Sequence, residues 1–177
     1  MIAPRHFSIL VATNLSNGIG INNTLPWKIK ADMAFFKTMT TTAPDGKFNV
    51  VIMGRKTFES LPDAVRPLPH RMNLVITTNH DYPAEGITII PTLEAGLSRC
   101  ASDPTVNRVF VIGGAQVYET AIEHHKLDSI YLTRVVNAAH CDAFFPTIPE
   151  RFKLSQHSGI IDTPEKIQIQ FEVWRRT

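Results

Sequence analysis

Cysteine is scarce in this sequence, and the scarcity excludes two classes of protein. The only cysteines, Cys100 and Cys141, form no CxxC pair, and the 7 histidines show no metal-ligand spacing. A disulfide framework needs several paired cysteines, and zinc sites need closely spaced Cys and His ligands. We therefore expect neither a disulfide-stabilised secreted domain nor a metal site, and we expect a reducing, cytoplasmic environment.

Long hydrophobic runs and an excess of one charge are missing as well. The apolar run Phe7–Ala12 is too short for a secretory signal and far too short for a membrane span. Lysine and arginine number 18 against 16 aspartate and glutamate residues, a formal net charge of +2. This balance predicts neither nucleic acid nor a membrane as a partner, although small anionic ligands need only a few well-placed cations.

The composition that is present is that of an ordinary folded domain. Hydrophobic residues make up 44% and charged residues 19% of the 177 residues, which is enough for a substantial core. No internal repeat, low-complexity tract or long linker divides the chain. We therefore expect a single domain over residues 1–177.

Short apolar runs alternate with helix-like segments along most of the chain. The runs are Phe7–Ala12, Phe48–Met53, Asn73–Thr77, Ile87–Ile90, Arg108–Ile112 and Ser129–Val135. Helices are predicted between them at Lys30–Met39, Thr57–Leu61, Leu93–Cys100 and Ala115–Glu123. This alternation predicts an α/β fold with a mostly parallel, twisted central sheet and flanking helices. Lys153–His157 and Ile167–Trp174, on either side of the turn region Gly159–Pro164, predict an antiparallel C-terminal hairpin.

Asp32 is the first candidate functional residue, because helical geometry places it on an apolar stripe. It shares one face of the predicted helix with three apolar side chains, those of Phe35, Phe36 and Met39. A carboxylate on a buried face must be paired, and two adjacent N–H donors, as on a 2-amino-pyrimidine ring edge, satisfy both oxygens. The alternative is a solvated acid that interacts with the helix dipole.

Two glycine-containing turns follow separate strands and suit phosphate. Gly54-Arg55-Lys56-Thr57 comes directly after one apolar run, and Gly113-Gly114 follows another. Backbone N–H groups at a helix start, together with cations, attract an anion. Taken alone, each turn is equally compatible with a solvated turn capped by Thr57 or with tight strand–helix packing. Because both turns end strands of one predicted sheet, together they favour a dinucleotide that spans them.

Two further segments point to the same edge of the sheet. The loop Asn14–Gly20 and the following Leu25-Pro26-Trp27 come after a buried strand and suit a mobile cover over a ligand. The alternatives are an ordinary turn and a core indole at Trp27. Arg71 ends the stiff turn Pro67–His70 and suits a carboxylate, with a free surface arginine as the alternative.

Taken in order, these segments resemble dihydrofolate reductase over nearly the whole chain. The matching segments are Ile19-Gly20 with Leu25-Pro26-Trp27, Lys30-Ala31-Asp32-Met33 with Phe36-Lys37, Val51–Ser60, Arg66–Asn73, Ile112-Gly113-Gly114 with Tyr118, Leu132-Thr133-Arg134, and Asp142–Pro146. The resemblance implies an oxidoreductase that uses NADPH to reduce dihydrofolate to tetrahydrofolate for one-carbon metabolism. A hydride would reach pterin C6 while N5 gains a proton. It also implies a cytoplasmic monomer that antifolate inhibitors bind.

The resemblance assigns roles residue by residue. Asp32 would bind the pterin N3–H and 2-amino group, Thr133 would orient it, and Trp27 would hold a water beside it, which makes these three the catalytic set. The other substrate-binding residues would be Leu10, Val11, Phe36, Lys37, Leu61, Leu68, Arg71, Ile112 and Tyr118. Arg71 would pair the glutamate α-carboxylate of the substrate.

The cofactor site is implied in the same way. Its residues would be Ala12, Ile19, Gly20, Asn23, Leu25, Gly54, Arg55, Lys56, Thr57, Thr77, Thr78, Asn79, Gly113, Gly114, Ala115, Gln116, Val117 and Tyr118. In the family the Gly113–Gly114 peptide is cis, and Asp142 would stabilise the closed state of the loop that carries Gly20.

Two other functions stay open at this point. A reductase of the same fold that acts on a riboflavin-pathway pyrimidine would keep the cofactor site. Its reaction would require the combination of Asp32, Trp27 and Arg71 less than the reduction of dihydrofolate does, so this combination counts against it. A non-catalytic folate- or nucleotide-binding protein would bind methotrexate without oxidising NADPH. A structural protein with no ligand accounts for the motifs least well.

Overall fold

The apolar runs form the strands of one sheet, and the computed structural model describes residues 5–177. The strands are β1 (Phe7–Thr13), β2 (Gly18–Gly20), β3 (Phe48–Gly54), β4 (Met72–Ile76), β5 (Thr88–Ile90), β6 (Val106–Val111), β7 (Leu127–Val136), β8 (Ala143–Phe144), β9 (Phe152–His157), β10 (Ile161–Asp162) and β11 (Gln168–Arg176). The helices are α1 (Lys30–Thr41), α2 (Arg55–Ser60), α3 (Leu93–Ala101) and α4 (Ala115–Ile122), with a 3-10 turn at Asp63–Val65.

The main sheet is parallel in its centre and antiparallel at one side. Its order is β10-β11-β7-β1-β6-β3-β4-β5, and β9 pairs with β11. The pairs from β7 to β5 are all parallel, whereas β11 is antiparallel to β7, β9 and β10. The predicted α/β fold with a C-terminal antiparallel hairpin is therefore confirmed. One detail was wrong, because the region Gly159–Pro164 is not only a turn and contains β10.

The helices begin close to their predicted positions, with one instructive difference at α2. This helix starts at Arg55, two positions before the predicted start at Thr57, and Gly54 occupies its N-cap position without a side-chain hydrogen bond. Thr57 therefore lies inside the first turn, and the alternative that made it a capping residue is wrong. Its hydroxyl is free to face the neighbouring Gly113-Gly114 segment.

Apolar side chains cover both faces of the sheet in separate clusters. One cluster joins strand residues such as Ile9 and Ile52 to α3 and α4. The other joins Val51 and Met53 to α2 and to Phe36 of α1. No helix within residues 5–177 has the length and hydrophobicity that crossing a membrane requires.

A buried asparagine fixes the end of α1 against the sheet. The Asn49 amide in β3 donates to the backbone carbonyls of Thr40 and Thr42 at 3.1 and 3.0 Å. Its carbonyl oxygen accepts from the Arg108 backbone N–H at 3.1 Å in β6. Because a buried amide must be hydrogen-bonded, Asn49 determines where α1 ends relative to two strands.

Candidate functional site

The carboxyl ends of the parallel strands bring the predicted ligand-binding segments together. The Gly54 N–H at the end of β3 donates to the Gly113 carbonyl beyond the end of β6, at 2.9 Å. The Tyr118 hydroxyl of α4 donates to the Leu10 carbonyl of β1, also at 2.9 Å. Ligands of such sheets collect at this edge, where loops meet helix starts. The segments were predicted separately from the sequence and lie at one edge of the structure.

Asp32 lies in the first turn of α1 and faces the sheet. Burial raises the pKa of its carboxyl, and the nearby Thr133 hydroxyl of β7 partly opposes the rise. The face it shares with Phe35, Phe36 and Met39 is half-buried, not fully buried as predicted. In α1 only Thr40 is fully buried. The structure therefore holds a carboxylate in an apolar recess that stays partly open.

We expect Thr133→Val to raise the pKa of Asp32 further, because the hydroxyl that stabilises the ionised carboxylate is removed. A carbon-detected NMR titration of the Asp32 carboxyl checks this. Thr147, an exposed threonine on the β8–β9 connection, provides the matched control, and Thr147→Val should leave the titration unchanged. An unchanged or lower Asp32 pKa in Thr133→Val would show that the hydroxyl does not support the carboxylate.

Trp27 is part of the core and also carries an unpaired donor. Its side chain is 5% exposed and packs with Ile29, Val135 and Ile169. Its indole Nε1 is buried and has no hydrogen-bond partner among the described residues. A buried indole N–H normally has a partner, so this donor is suited to a ligand or to a ligand-bound water. The core and binding interpretations of Trp27 are therefore compatible.

Glycines make a narrow backbone cradle between α2 and α4. Gly113 has a φ of 128°, a conformation that side chains disfavour, and the Gly113–Gly114 peptide is cis. A Cβ on Gly114 would lie 3.1 Å from the Thr57 hydroxyl oxygen. The first N–H groups of α4 lack partners within the helix and open on this cradle. The backbone can therefore approach an anionic ligand closely here.

The polar side chains around the cradle differ in whether they already have partners within the protein. Arg55 already pairs with Glu59 one helical turn later, at 3.0 and 2.9 Å. Lys56 is exposed and forms no ion pair within residues 5–177. Thr77, Thr78 and Asn79 follow β4 at the same edge, and the Thr77 hydroxyl oxygen accepts from the Asn79 N–H at 3.1 Å. Lys56 is thus the cation most available to a phosphate, and Arg55 would have to share or exchange its partner.

Arg71 is held in place beside the end of α1. Its Nε donates to the Pro69 carbonyl at 2.8 Å, and one guanidinium nitrogen donates to the Thr40 hydroxyl at 2.9 Å. Burial lowers the pKa of this guanidinium, which still carries its charge. The turn itself is closed by Asn73, which donates to the Leu68 carbonyl and accepts from the Leu68 N–H, both at 2.9 Å. A fixed arginine that forms no ion pair with any carboxylate of residues 5–177 suits the carboxylate of a ligand.

The loop that carries Gly20 contacts elements on both sides. Asp142 accepts from the Asn22 N–H at 3.0 Å and donates its own N–H to the Gly20 carbonyl at 2.9 Å. The Asn23 side chain donates to the Lys56 carbonyl of α2 at 3.1 Å. The Asn23 bond holds the loop against α2, and the Asp142 bonds hold it against the segment that leads into β8.

Comparison with known proteins decides the family. The sequence model of a family described as Dihydrofolate reductase matches residues 6–176. A dihydrofolate reductase of Aedes albopictus is 37% identical over 171 residues, which cover 93% of this chain and 90% of that protein. A dihydrofolate reductase of Pneumocystis carinii is 42% identical over 153 residues, which cover 80% of this chain and 74% of that protein. A dihydrofolate reductase of Heliothis virescens is 38% identical over 177 residues, which cover 94% of this chain and 96% of that protein.

The chain belongs to the dihydrofolate reductase family. This family consists of oxidoreductases that use NADPH as the hydride donor. The glycine cradle, the exposed Lys56 and the Thr57 hydroxyl fit the phosphates of such a cofactor, because they offer backbone N–H groups, a cation and a hydroxyl at one place. The cis Gly113–Gly114 peptide and the contacts of Asp142, both expected from the resemblance, are present.

Some residues to which the resemblance to dihydrofolate reductase assigned substrate binding do not present their side chains as expected. The Val11 side chain packs in the cluster with α3 and α4, so that only its backbone is left for a substrate near α1. Tyr118 is 4% exposed and uses its hydroxyl on Leu10, while Lys37 is exposed on α1. Leu10 and Leu68 are buried, and Phe36, Leu61 and Ile112 are half-buried.

Two residues support the site through bonds that were not predicted from the sequence. Asn14 accepts from the Ser16 and Gly18 N–H groups at 2.9 and 2.8 Å and donates to the Ala139 carbonyl at 2.9 Å. Glu165 accepts from the Lys30 N–H at 3.1 Å and thereby caps α1, a bond that lowers the pKa of Glu165. The bonds from Asn14 to Ala139 and from Lys30 to Glu165 connect segments far apart in the chain, and no local pattern indicates them.

We expect Asn23→Gly to speed the release of NADPH, because it removes the side-chain bond that holds the loop on α2. An ordinary hydrogen bond contributes about 0.5–1.5 kcal/mol, so the dissociation rate should rise about 2- to 10-fold. Stopped-flow displacement of bound NADPH measures the rate. Asn22→Gly is the matched control, because both asparagines have positive φ (49° and 58°) but only Asn23 bonds to α2. Equal rates in the two variants would contradict the role of the Asn23 side chain.

Proposed function

We propose that this protein reduces dihydrofolate to tetrahydrofolate with NADPH, the activity of the family to which it belongs. The observation that supports it most directly is the position of the Asp32 carboxylate in a partly open apolar recess. Burial there raises the pKa of this carboxyl. A flat ring with two adjacent N–H donors would pair both carboxylate oxygens and fill the recess. The glycine cradle for a dinucleotide lies at the same sheet edge.

The residues of the chain would act mainly by binding and orientation. Asp32 would bind the edge of the pterin ring and favour the protonated pterin electrostatically, while Thr133 would keep the carboxylate aligned. Trp27 would donate its unpaired N–H to a water beside the carboxylate. NADPH supplies the hydride when bound. An Asp32 carboxylate that binds the pterin N3–H and 2-amino group would not reach N5, so water is the proposed donor of the N5 proton. Close positioning of the two rings would provide much of the rate enhancement.

The remaining predicted roles stand as part of this proposal. The backbone of the glycine cradle, Lys56, Thr57 and the Thr77–Asn79 segment would bind the cofactor phosphates. Ala12, Ile19 and the loop to Leu25 would contact the nicotinamide. We also propose that residues 1–177 act as one domain, that the protein is a cytoplasmic monomer, and that antifolates bind at Asp32. The two cysteines support the location, because both are free and buried.

The decisive assay follows NADPH oxidation after dihydrofolate is added to the purified protein, with tetrahydrofolate identified by mass spectrometry. Methotrexate should block turnover. Turnover of a riboflavin-pathway pyrimidine in place of dihydrofolate would overturn the proposal in favour of that reductase. Tight methotrexate binding without NADPH oxidation would instead indicate a non-catalytic binding protein.

A further inference from the structure

A second cavity lies at the opposite edge of the sheet from the candidate active site. Its volume is about 480 Å³, and it opens beside the first residues of β1, β6 and β7 and the last residues of β11. Three arginines line it, namely Arg5, Arg108 and Arg175. The cavity is therefore separate from the cofactor and substrate sites, which lie at the carboxyl ends of the same parallel strands.

The three arginines are held in position by neutral groups only. One N–H of each guanidinium donates to an uncharged oxygen: Arg5 to the Asn107 carbonyl (2.7 Å), Arg108 to the Tyr131 hydroxyl (2.9 Å) and Arg175 to the Ser129 hydroxyl (3.0 Å). Within residues 5–177 none of the three forms an ion pair with a carboxylate. Each guanidinium has five N–H donors, so several remain for a ligand.

The carboxylates near the cavity already have other partners. Asp128, which lines it, contacts His6 at 3.0 Å. Asp103, close enough to Arg5 to interact electrostatically, accepts from the Thr105 hydroxyl and N–H at 2.6 and 2.9 Å. These two carboxylates offset only part of the charge of the three arginines, and the remaining positive charge costs free energy, because like charges repel and partial burial weakens screening. A bound anion would remove that cost.

Arg108 differs from the other two in that it also packs on aromatic rings. It is half-buried, and its guanidinium carbon lies 4.8 Å from the Phe110 ring centre and 5.4 Å from that of Tyr131. Packing on the two rings explains why an arginine is tolerated on this sheet face. It does not explain why Arg5 and Arg175 converge on the same cavity. A guanidinium that is already immobilised loses little entropy on binding a ligand.

We propose that this cavity binds a small organic phosphate at a site distinct from the NADPH site. Guanidinium groups match phosphate oxygens in pairs, and the hydroxyls of Ser8 and Ser129 in the wall add donors. The cavity volume lies in the range of pockets for small organic ligands and leaves room for an organic group beside the phosphate. The proposal does not depend on the reaction at the other edge.

The test uses the NADPH-saturated protein, so that the cofactor phosphate site is filled. Phenyl phosphate is titrated while the backbone amide resonances of Arg108, Ser129 and Tyr131 are followed by NMR. We expect saturable shifts at these amides. Arg175→Gln should weaken binding about 10- to 100-fold, because a charged hydrogen-bond donor contributes about 1.5–3 kcal/mol. Arg175 is exposed, so this variant is expected to fold.

Arg99→Gln provides the matched control, since Arg99 is an exposed arginine on α3 that does not line the cavity. It makes the same change in net charge and should leave the affinity unchanged. Arg108→Lys, which retains the charge but not the planar fork, should weaken binding as well. The proposal is overturned if no shifts occur at the cavity, or if Arg99→Gln weakens binding as much as Arg175→Gln.

Discussion

Asp32→Asn is expected to lower turnover at neutral pH by about 100-fold or more while NADPH binding is retained. An amide lacks the negative charge that would favour a protonated pterin, and positioned acid–base and electrostatic groups contribute effects of this size. Steady-state kinetics give the turnover, and fluorescence titration gives the NADPH affinity. Asp45, an exposed aspartate in the turn before β3, supplies the control variant Asp45→Asn, which should behave as the parent protein.

The same substitution should make the ligand-free protein more stable at neutral pH. Burial raises the folded-state pKa of Asp32, so its contribution to stability is full below the unfolded-state pKa and is lost as pH rises through the folded-state pKa. Above that window the buried charge destabilises the fold, and a neutral amide avoids the cost. Denaturant unfolding of both proteins across the acidic range measures this difference. Near-parental turnover would remove Asp32 from its proposed role, and a less stable variant at neutral pH would show that burial does not penalise the charge of Asp32.

Arg71→Gln is expected to raise the KM for dihydrofolate about 10- to 100-fold with little change in kcat. Arg71 would bind the glutamate tail in ground state and transition state alike, and charged hydrogen bonds contribute about 1.5–3 kcal/mol. Arg71→Lys should give an intermediate KM, because it keeps the charge but loses the planar fork. Initial-rate kinetics over a range of dihydrofolate concentrations give both constants.

A substrate without the tail separates recognition from structural damage. Arg71 also bonds to Thr40 of α1, so its loss could disturb the helix that carries Asp32. If the role is recognition, the parent protein and Arg71→Gln should reduce a dihydropterin lacking the glutamate tail equally well. A KM for dihydrofolate that does not change, or an equal loss on both substrates, would contradict the assignment.

The fold was predictable because its signals are local. Each central strand is a short run of β-branched and apolar residues, and the helices between them are marked by their periodicity and by glycines such as Gly54 and Gly114. The parallel sheet then fixes which ends meet, which is why separate motifs could be expected at one edge. Short elements were less predictable, and β10 within a turn region is the example.

The placement of the main residues of the candidate site was predictable, but the bonds that support them were not. The carboxylate of Asp32 could be expected on an apolar face, whereas the half-open state of that face depends on tertiary packing. The pairing of Arg55 with Glu59 is visible as an i,i+4 spacing and limits how freely Arg55 could reach a phosphate. The bonds of Asn14 and Glu165 join residues more than 100 positions apart, and no sequence pattern specifies such partners.

The helix that carries Asp32 is fastened at both of its ends by residues from elsewhere in the chain. Glu165 of the β10–β11 turn holds the first N–H group, and Asn49 of β3 holds the last carbonyls. The depth at which the acid sits is therefore set by the C-terminal hairpin as well as by the central strands. Lengthening the hairpin turn by one residue would shift the carboxylate without altering any residue that touches a ligand, so variation in that distant turn becomes a means of tuning affinity.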